Sequence, residues 1–189
     1  SLNALCLVAA NEGETPSPQY LALLRRQLPV ISQRLQQTLD KLRRPDLEGA
    51  QFVPASRWWS GLQARYTQAG VSFSSDGIVS EVEIPVTLFN SVAENLLENA
   101  LAKQLEMPLL KISVAFSVQD NPTLEVYDDG PAIPAEVAQN LFRNPVVSRV
   151  GLGIGLYQAA RHAEFYGYEL KIAGNEAGRV CFVLERKPE

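Results

Sequence analysis

The segment Lys111–Val118 carries an apolar side chain at every second position, Ile112, Val114, Phe116 and Val118, which is the period of a strand. Asp120-Asn121-Pro122 then turns the chain, and Thr123–Tyr127 returns as a second strand. Strands joined this tightly pair antiparallel, because a parallel pair needs a crossover of about a dozen residues or more. A second hairpin is expected from Tyr168–Ala173 and Arg179–Glu185, joined across Asn175-Glu176-Ala177-Gly178. Shorter strand candidates are Phe52-Val53, Val71–Ser74 and Glu81–Ile84. Helical periods separate them: Ser56–Gln68 ending at Gly70, a helix from Pro85 to about Leu105, Ala135–Leu141, and Leu152–Tyr166 ended by Gly167. Hairpin-connected strands with interleaved helices make residues 45–189 an α+β sandwich rather than a doubly wound sheet.

Residues 1–44 read differently. Leu5–Ala10 fits the end of one helix, residues 11–18 its turn, and a long helix follows. Leu21, Leu24, Leu28, Ile31, Leu35, Thr38 and Leu42 step by threes and fours, an a/d seam held for about three heptads and interrupted by Pro29. So narrow a seam favours a helical hairpin that dimerises with a copy of itself over a helix packed on its own domain. Arg43-Arg44-Pro45-Asp46 ends the helix as a linker.

The balance of 17 Lys and Arg against 21 Asp and Glu, a net charge of −4, argues against a general nucleic-acid binder. The longest apolar run, Ala4–Ala10, is far short of the roughly 20 residues of a membrane helix, and no signal-peptide pattern surrounds it. No membrane contact is expected from this stretch of chain. Cys6 and Cys181, far apart in sequence, fit buried thiols of a reducing cytosol better than a disulfide. With one histidine and no CxxC, a zinc site lacks ligands.

Three clusters carry chemistry. On the helix from Pro85, residues Leu88, Phe89, Val92, Ala93, Leu96, Leu97, Ala100 and Leu101 bury one side, while Asn95, Asn99 and Lys103 stack along the other. An amide oxygen there can bind Mg²⁺, and the lysine can meet a phosphate, although a solvated polar face has the same pattern. Asp128-Asp129-Gly130-Pro131-Ala132-Ile133-Pro134 follows a strand: a carboxylate able to accept from an exocyclic base amine, then a glycine that permits close approach. Gly151-Leu152-Gly153-Ile154-Gly155-Leu156 opens a helix and frees backbone N–H groups for phosphate oxygens, without matching a Rossmann or P-loop motif.

In this order and spacing, the clusters resemble the N, G1 and G2 boxes of the Bergerat-fold ATPase superfamily, and specifically of the catalytic domain of bacterial sensor histidine kinases. Leu141-Phe142-Arg143 is similar to a short F box. The resemblance covers about Val82–Arg186 and implies a mixed sheet with helices on one face, preceded by the helical hairpin. It implies ATP and Mg²⁺ as ligands, with Asn99 on the metal and Asp128 on the adenine. The remaining nucleotide-binding positions it implies are Asn95, Lys103, Gly130, Ala132, Ile133, Phe142, Ser148, Arg149, Gly151, Gly153, Gly155 and Leu156. In hydrolysing members of the superfamily a Glu four residues before the metal Asn activates water. Here that position is Asn95, so phosphoryl transfer is expected instead.

Three departures stand out: Ala132 in place of a second G1 glycine, expected to tighten the adenine pocket, Ala102 where a polar group is common, and Val180 where a Thr usually backs the adenine Asp. They define the rival reading, a degenerate nucleotide-binding or dimerisation module without kinase activity. The only histidine, His162, falls inside the catalytic domain and reads as an ordinary helix residue. The acceptor histidine is therefore expected on the first hairpin helix, upstream of Ser1. The expected partners are a second copy, through the hairpin, and a response-regulator receiver domain. The expected place is the cytoplasm, whether or not a membrane-anchored sensor lies upstream. Trp58-Trp59 is expected to anchor the core rather than stack a ligand.

Overall fold

The computed structural model describes residues 51–77, 82–119, 121–143 and 155–188, all within one compact unit, Ala50–Glu189. The N-terminal hairpin with its seam, Cys6, Ser148, Arg149, Gly151 and Gly153 lie outside the described residues. In chain order the elements are β1 (Phe52–Pro54), α1 (Ala55–Tyr66), β2 (Val71–Asp76), β3 (Glu83–Pro85), α2 (Val86–Glu106), β4 (Ile112–Ser117), β5 (Thr123–Asp128), α3 (Ala135–Asn140), α4 (Gly155–Phe165), β6 (Tyr168–Glu176) and β7 (Arg179–Arg186). A 3₁₀ turn at Thr67–Ala69 extends α1 to Gly70, whose φ of 70° stops it.

Five strands form one mixed sheet in the order β2-β4-β5-β7-β6. β2 runs parallel to β4, with α2 in the crossover, and every other pair is antiparallel. β1 and β3 pair separately as a short antiparallel ribbon. The strand period expected at Lys111–Val118 holds: Ile112, Val114 and Phe116 are buried, and the residues between them are half-buried. Cross-strand rows then follow from register. Phe116, Leu124 and Leu184 form one inward row, and Val114, Val126 and Phe182 the next.

The expected apolar side of α2 packs on these rows, with Leu88, Phe89, Val92, Ala93, Leu96, Leu97 and Ala100 buried. From α1, Trp58 and Trp59 enter the same core. Phe116 sits 5.1 Å from the Trp58 ring, 5.4 Å from Trp59 and 5.9 Å from Phe89. The Trp58 indole N–H is satisfied by Asn90 Oδ1 at 2.9 Å. The tryptophans are core anchors, as expected.

The last hairpin differs from its expected form. β6 continues to Glu176, the ladder runs to Glu176 opposite Arg179, and only Ala177-Gly178 form the turn, with Gly178 at φ 83°. Between Ile172 and Gly174 the register shifts, so Ala173 is an extra residue in β6. Such a bulge reverses which residues face inward. Before it Tyr168 and Leu170 are buried; after it Asn175 pairs with buried Val180. Cys181 is half-buried rather than enclosed, and burial, followed by the nearby Glu125 carboxylate, pushes its thiol pKa up.

Candidate functional site

The alternation in β5 that buries Leu124 and Val126 also turns Asp128 inward. Asp128 lies in register between Ile112 on β4 and Val180 on β7, and Asn175 continues that row. It is 4% exposed, the one charged residue in the core among the described residues. A carboxylate held there needs partners, since burying an unpaired charge is costly. It has two: Lys103 Nζ donates to Oδ2 at 2.8 Å, and the Gly130 N–H donates to Oδ1 at 3.1 Å.

Three elements close on the loop that follows. From the end of α2, Gln104 Nε2 donates to the Leu110 carbonyl, and Leu110 packs against Gly130. The Lys111 N–H donates to Asp129 Oδ1 at 2.7 Å, and the Asp129 N–H donates back to the Lys111 carbonyl at 3.2 Å. From the β6–β7 hairpin, the Asn175 amide pairs with the Ile133 backbone like a short piece of strand, accepting from its N–H at 2.7 Å and donating to its carbonyl at 2.8 Å. The Gly178 N–H donates to the Gly130 carbonyl at 2.8 Å, and the Tyr127 hydroxyl to the Gly178 carbonyl at 2.7 Å. Gly130 has no room for a side chain: a Cβ there would lie 2.7 Å from Asp128 Oδ1 and 2.9 Å from Leu110 Cδ1.

The other cluster forms where α2 meets the start of α4. Asn95 Nδ2 donates to the Ser91 carbonyl at 2.7 Å, and a Cβ on Gly155 would fall 2.0 Å from Asn95 Oδ1. The absence of a side chain at Gly155 thus lets the two helices approach at Asn95. Asn99 lies one turn further along α2 and is exposed, while Ala102 is half-buried. Of the neighbouring acids, Glu94 is ion-paired with Arg65 of α1, and Glu98 is exposed.

Of the residues singled out in the sequence, Asp128, Gly130, Ile133 and Lys103 come together at the end of the sheet, and Asn95 and Gly155 meet on the polar side of α2. Lys103, expected on a phosphate, is instead paired with Asp128. Ala132 is exposed. Phe142 and Leu156 are half-buried against the core, Phe142 with its ring edge-on to Phe182 at 6.3 Å. Val180, opposite Asp128, is fully buried and offers the carboxylate no hydroxyl. His162 lies half-buried on α4, its ring 5.2 Å from that of Tyr166. A shallow depression on the other face of the sheet, lined in part by Ser74, Ser113, Tyr127, Arg179 and Cys181, holds none of these residues.

Sequence reasoning missed Asn175. It reads as part of a loop, and the strand phase from Tyr168 to Ile172 would turn it outward; only the bulge at Ala173 brings it to the Ile133 loop. Asn175→Ala removes both hydrogen bonds, and a loss of about 1–3 kcal/mol in unfolding free energy is expected from urea denaturation.

Comparison with known proteins agrees with this geometry. Residues 86–189, more than half of the chain, match the family described as histidine kinase-, DNA gyrase B-, and HSP90-like ATPase. The sensor protein CitS of Halalkalibacterium halodurans is 30% identical over 54% of this chain and 19% of its own length. The sensor protein kinase PilS of Pseudomonas aeruginosa is 34% identical over 49% of this chain and 18% of its own. The chain thus spans about a fifth of the length of the curated relatives it matches. Among solved structures, the catalytic domain of histidine kinase ThkA superposes with a TM-score of 0.56 at 20% identity, covering 72% of this chain and 95% of that one. The Acinetobacter baumannii histidine kinase AdeS gives a TM-score of 0.59 at 18% identity, over 98% of this chain and 92% of that one. At such identities the likeness is one of fold, and it is the same mixed sheet with helices.

Proposed function

From a chain that belongs to the histidine kinase-, DNA gyrase B- and HSP90-like ATPase family, as an ATP-binding catalytic domain of the sensor histidine kinase type, we infer a protein-histidine kinase core. It binds Mg-ATP and hands the γ-phosphoryl group to a histidine on a dimerising helical hairpin, for relay to a response-regulator receiver domain. The observation that carries this reading is the buried Asp128 carboxylate at the end of β5, fixed among the glycine loop, α2 and the last hairpin.

Each residue has a chemical task in this reading. Asp128 accepts a hydrogen bond from the exocyclic amine of adenine, and Gly130, Ala132 and Ile133 shape the loop beside the base. Phe142 and Leu156 contribute apolar surface. Ser148, Arg149 and the glycines Gly151, Gly153 and Gly155 attend the phosphates. Asn99 is the residue that would hold Mg²⁺. No group of three or more His, Cys, Asp or Glu among the described residues could hold a metal ion. A single exposed amide oxygen nevertheless suits an ion that keeps several waters and takes its other ligands from phosphates. When bound, the ion supplies neutralisation of phosphate charge.

Transfer is favoured over hydrolysis by what surrounds Asn99. Asn95 is an amide committed to the Ser91 carbonyl, and Glu94 is committed to Arg65. Neither is a free general base for water. No helix among the described residues is long and apolar enough to cross a membrane; we place the domain on the cytoplasmic side of its sensor.

Calorimetry should show binding of ATP and ADP, tighter with Mg²⁺ than with EDTA. Absence of both at millimolar nucleotide would defeat the reading. Radiolabelled ATP should leave no acid-labile phosphate on this chain, because His162 is fixed on α4 within the domain and lacks the in-line approach that transfer requires. A chain extended upstream should take up label. If it binds ATP but stays unlabelled, the degenerate-module reading, suggested by the apolar Val180 behind Asp128, replaces this one.

A further inference from the structure

On α2, Lys103 stands one turn beyond Asn99, where the sequence leaves it either a phosphate contact or part of a solvated face. Its position in the fold assigns it elsewhere. The ammonium lies 2.8 Å from Asp128 Oδ2, while Oδ1 is taken by the Gly130 N–H. Each oxygen thus accepts one bond, Oδ1 from the backbone and Oδ2 from the Lys103 side chain, and each keeps a further lone pair. The carboxylate side chain is 5% exposed and the lysine side chain 33%, so the charge that offsets the buried acid comes from the solvent side. No other cation is paired with Asp128 among the described residues. Its registered neighbours Ile112 and Val180 are apolar.

The backbone around Lys103 is also fixed. Its carbonyl accepts from the Met107 N–H at 2.9 Å, and Gln104 next to it is tied to Leu110, which packs on Gly130. The lysine thus issues from the same knot of contacts that shapes the loop after Asp128.

We propose that Lys103 is a positioning residue for base recognition: it holds Asp128 oriented and available as the acceptor for a 6-aminopurine, and it does not serve the phosphates. This rests on the nucleotide-site reading above. A carboxylate oxygen can accept from Lys103 and from the base amine together, since it has two lone pairs. The ammonium also has donors left over after the bond to Oδ2, next to where the purine ring nitrogens would face Asp128.

The test is calorimetry of Mg-ATP, ADP and AMP with the wild-type chain, Lys103→Met and Lys103→Arg, each checked for folding by thermal melting. Lys103→Met should weaken all three nucleotides by a similar factor of about tenfold, because the lost interaction lies at the part they share. Lys103→Arg should restore most of the affinity, since a guanidinium can still pair with the acid. A loss that grows from AMP to ADP to ATP would place Lys103 on the phosphates and overturn the proposal while leaving the nucleotide site intact. If Lys103→Met does not fold, the same comparison is made in the Asp128→Asn background, where the lysine has no carboxylate to hold. There Lys103→Met should cost less than about twofold, and an undiminished tenfold loss would overturn the proposal. Failure of the wild-type chain to bind any of the three would overturn the nucleotide reading and this proposal with it.

Discussion

Phe116→Ala should lower the unfolding free energy by about 3–5 kcal/mol, the range for emptying a buried aromatic site. The ring is 1% exposed and touches Trp58, Trp59 and Phe89 within 6 Å. Those neighbours come from α1 and α2, so the cavity opens where both helices meet β4, and neither can collapse into it without leaving the other. Against a typical domain stability of about 5–15 kcal/mol, this is a large share. A fall in melting temperature of about 10–20 °C is expected in calorimetric scans. Leu109→Ala, at a residue that is 91% exposed, should change the unfolding free energy by less than about 0.5 kcal/mol. Similar shifts for the two would mean that the core is not organised around Phe116.

The second large effect is expected at Asn99. Its side chain is exposed on α2, so Asn99→Ala should leave folding unchanged, and a melt that matches the wild type is the control. In an upstream-extended chain, the same change should reduce phosphoryl transfer to the acceptor histidine by about a hundredfold or more, the scale of losing one fixed electrostatic stabiliser at the reacting phosphate. Nucleotide affinity should also lose its dependence on Mg²⁺ and match the value in EDTA. Retention of a strong Mg²⁺ dependence would move the metal site off α2.

Much of the fold was legible in the sequence, because period-two and period-3.6 segments were long and well bounded. The apolar side of α2 was read correctly from Leu88 to Ala100, and the β4–β5 hairpin from one turn. The β5 strand was expected to stop at Tyr127, and its actual extension by one residue puts Asp128 on the buried side with Leu124 and Val126. What spacing could not supply was the identity of its partner. Lys103 and Asp128 are 25 residues apart and meet only because α2 packs across the end of β5. Asn175 was hidden for a different reason: one extra residue, Ala173, inverts the phase on which a strand reading depends. The parallel pairing of β2 with β4 was equally unreadable, because a four- to six-residue strand does not name its neighbour.

That extra residue also bears on how copies of the domain behave beside one another. β6 and β2 are the outermost strands of the five, where unpaired backbone groups could recruit a strand from another molecule. β6 is kinked at Ala173 and carries Lys171, bonded to Glu185 on its own hairpin. β2 ends in Ser74, Ser75 and Asp76, all exposed. Both edges are thus poor templates for continuing the sheet into a neighbour. Copies of the domain at high concentration should therefore stay free of edge-to-edge association through this sheet.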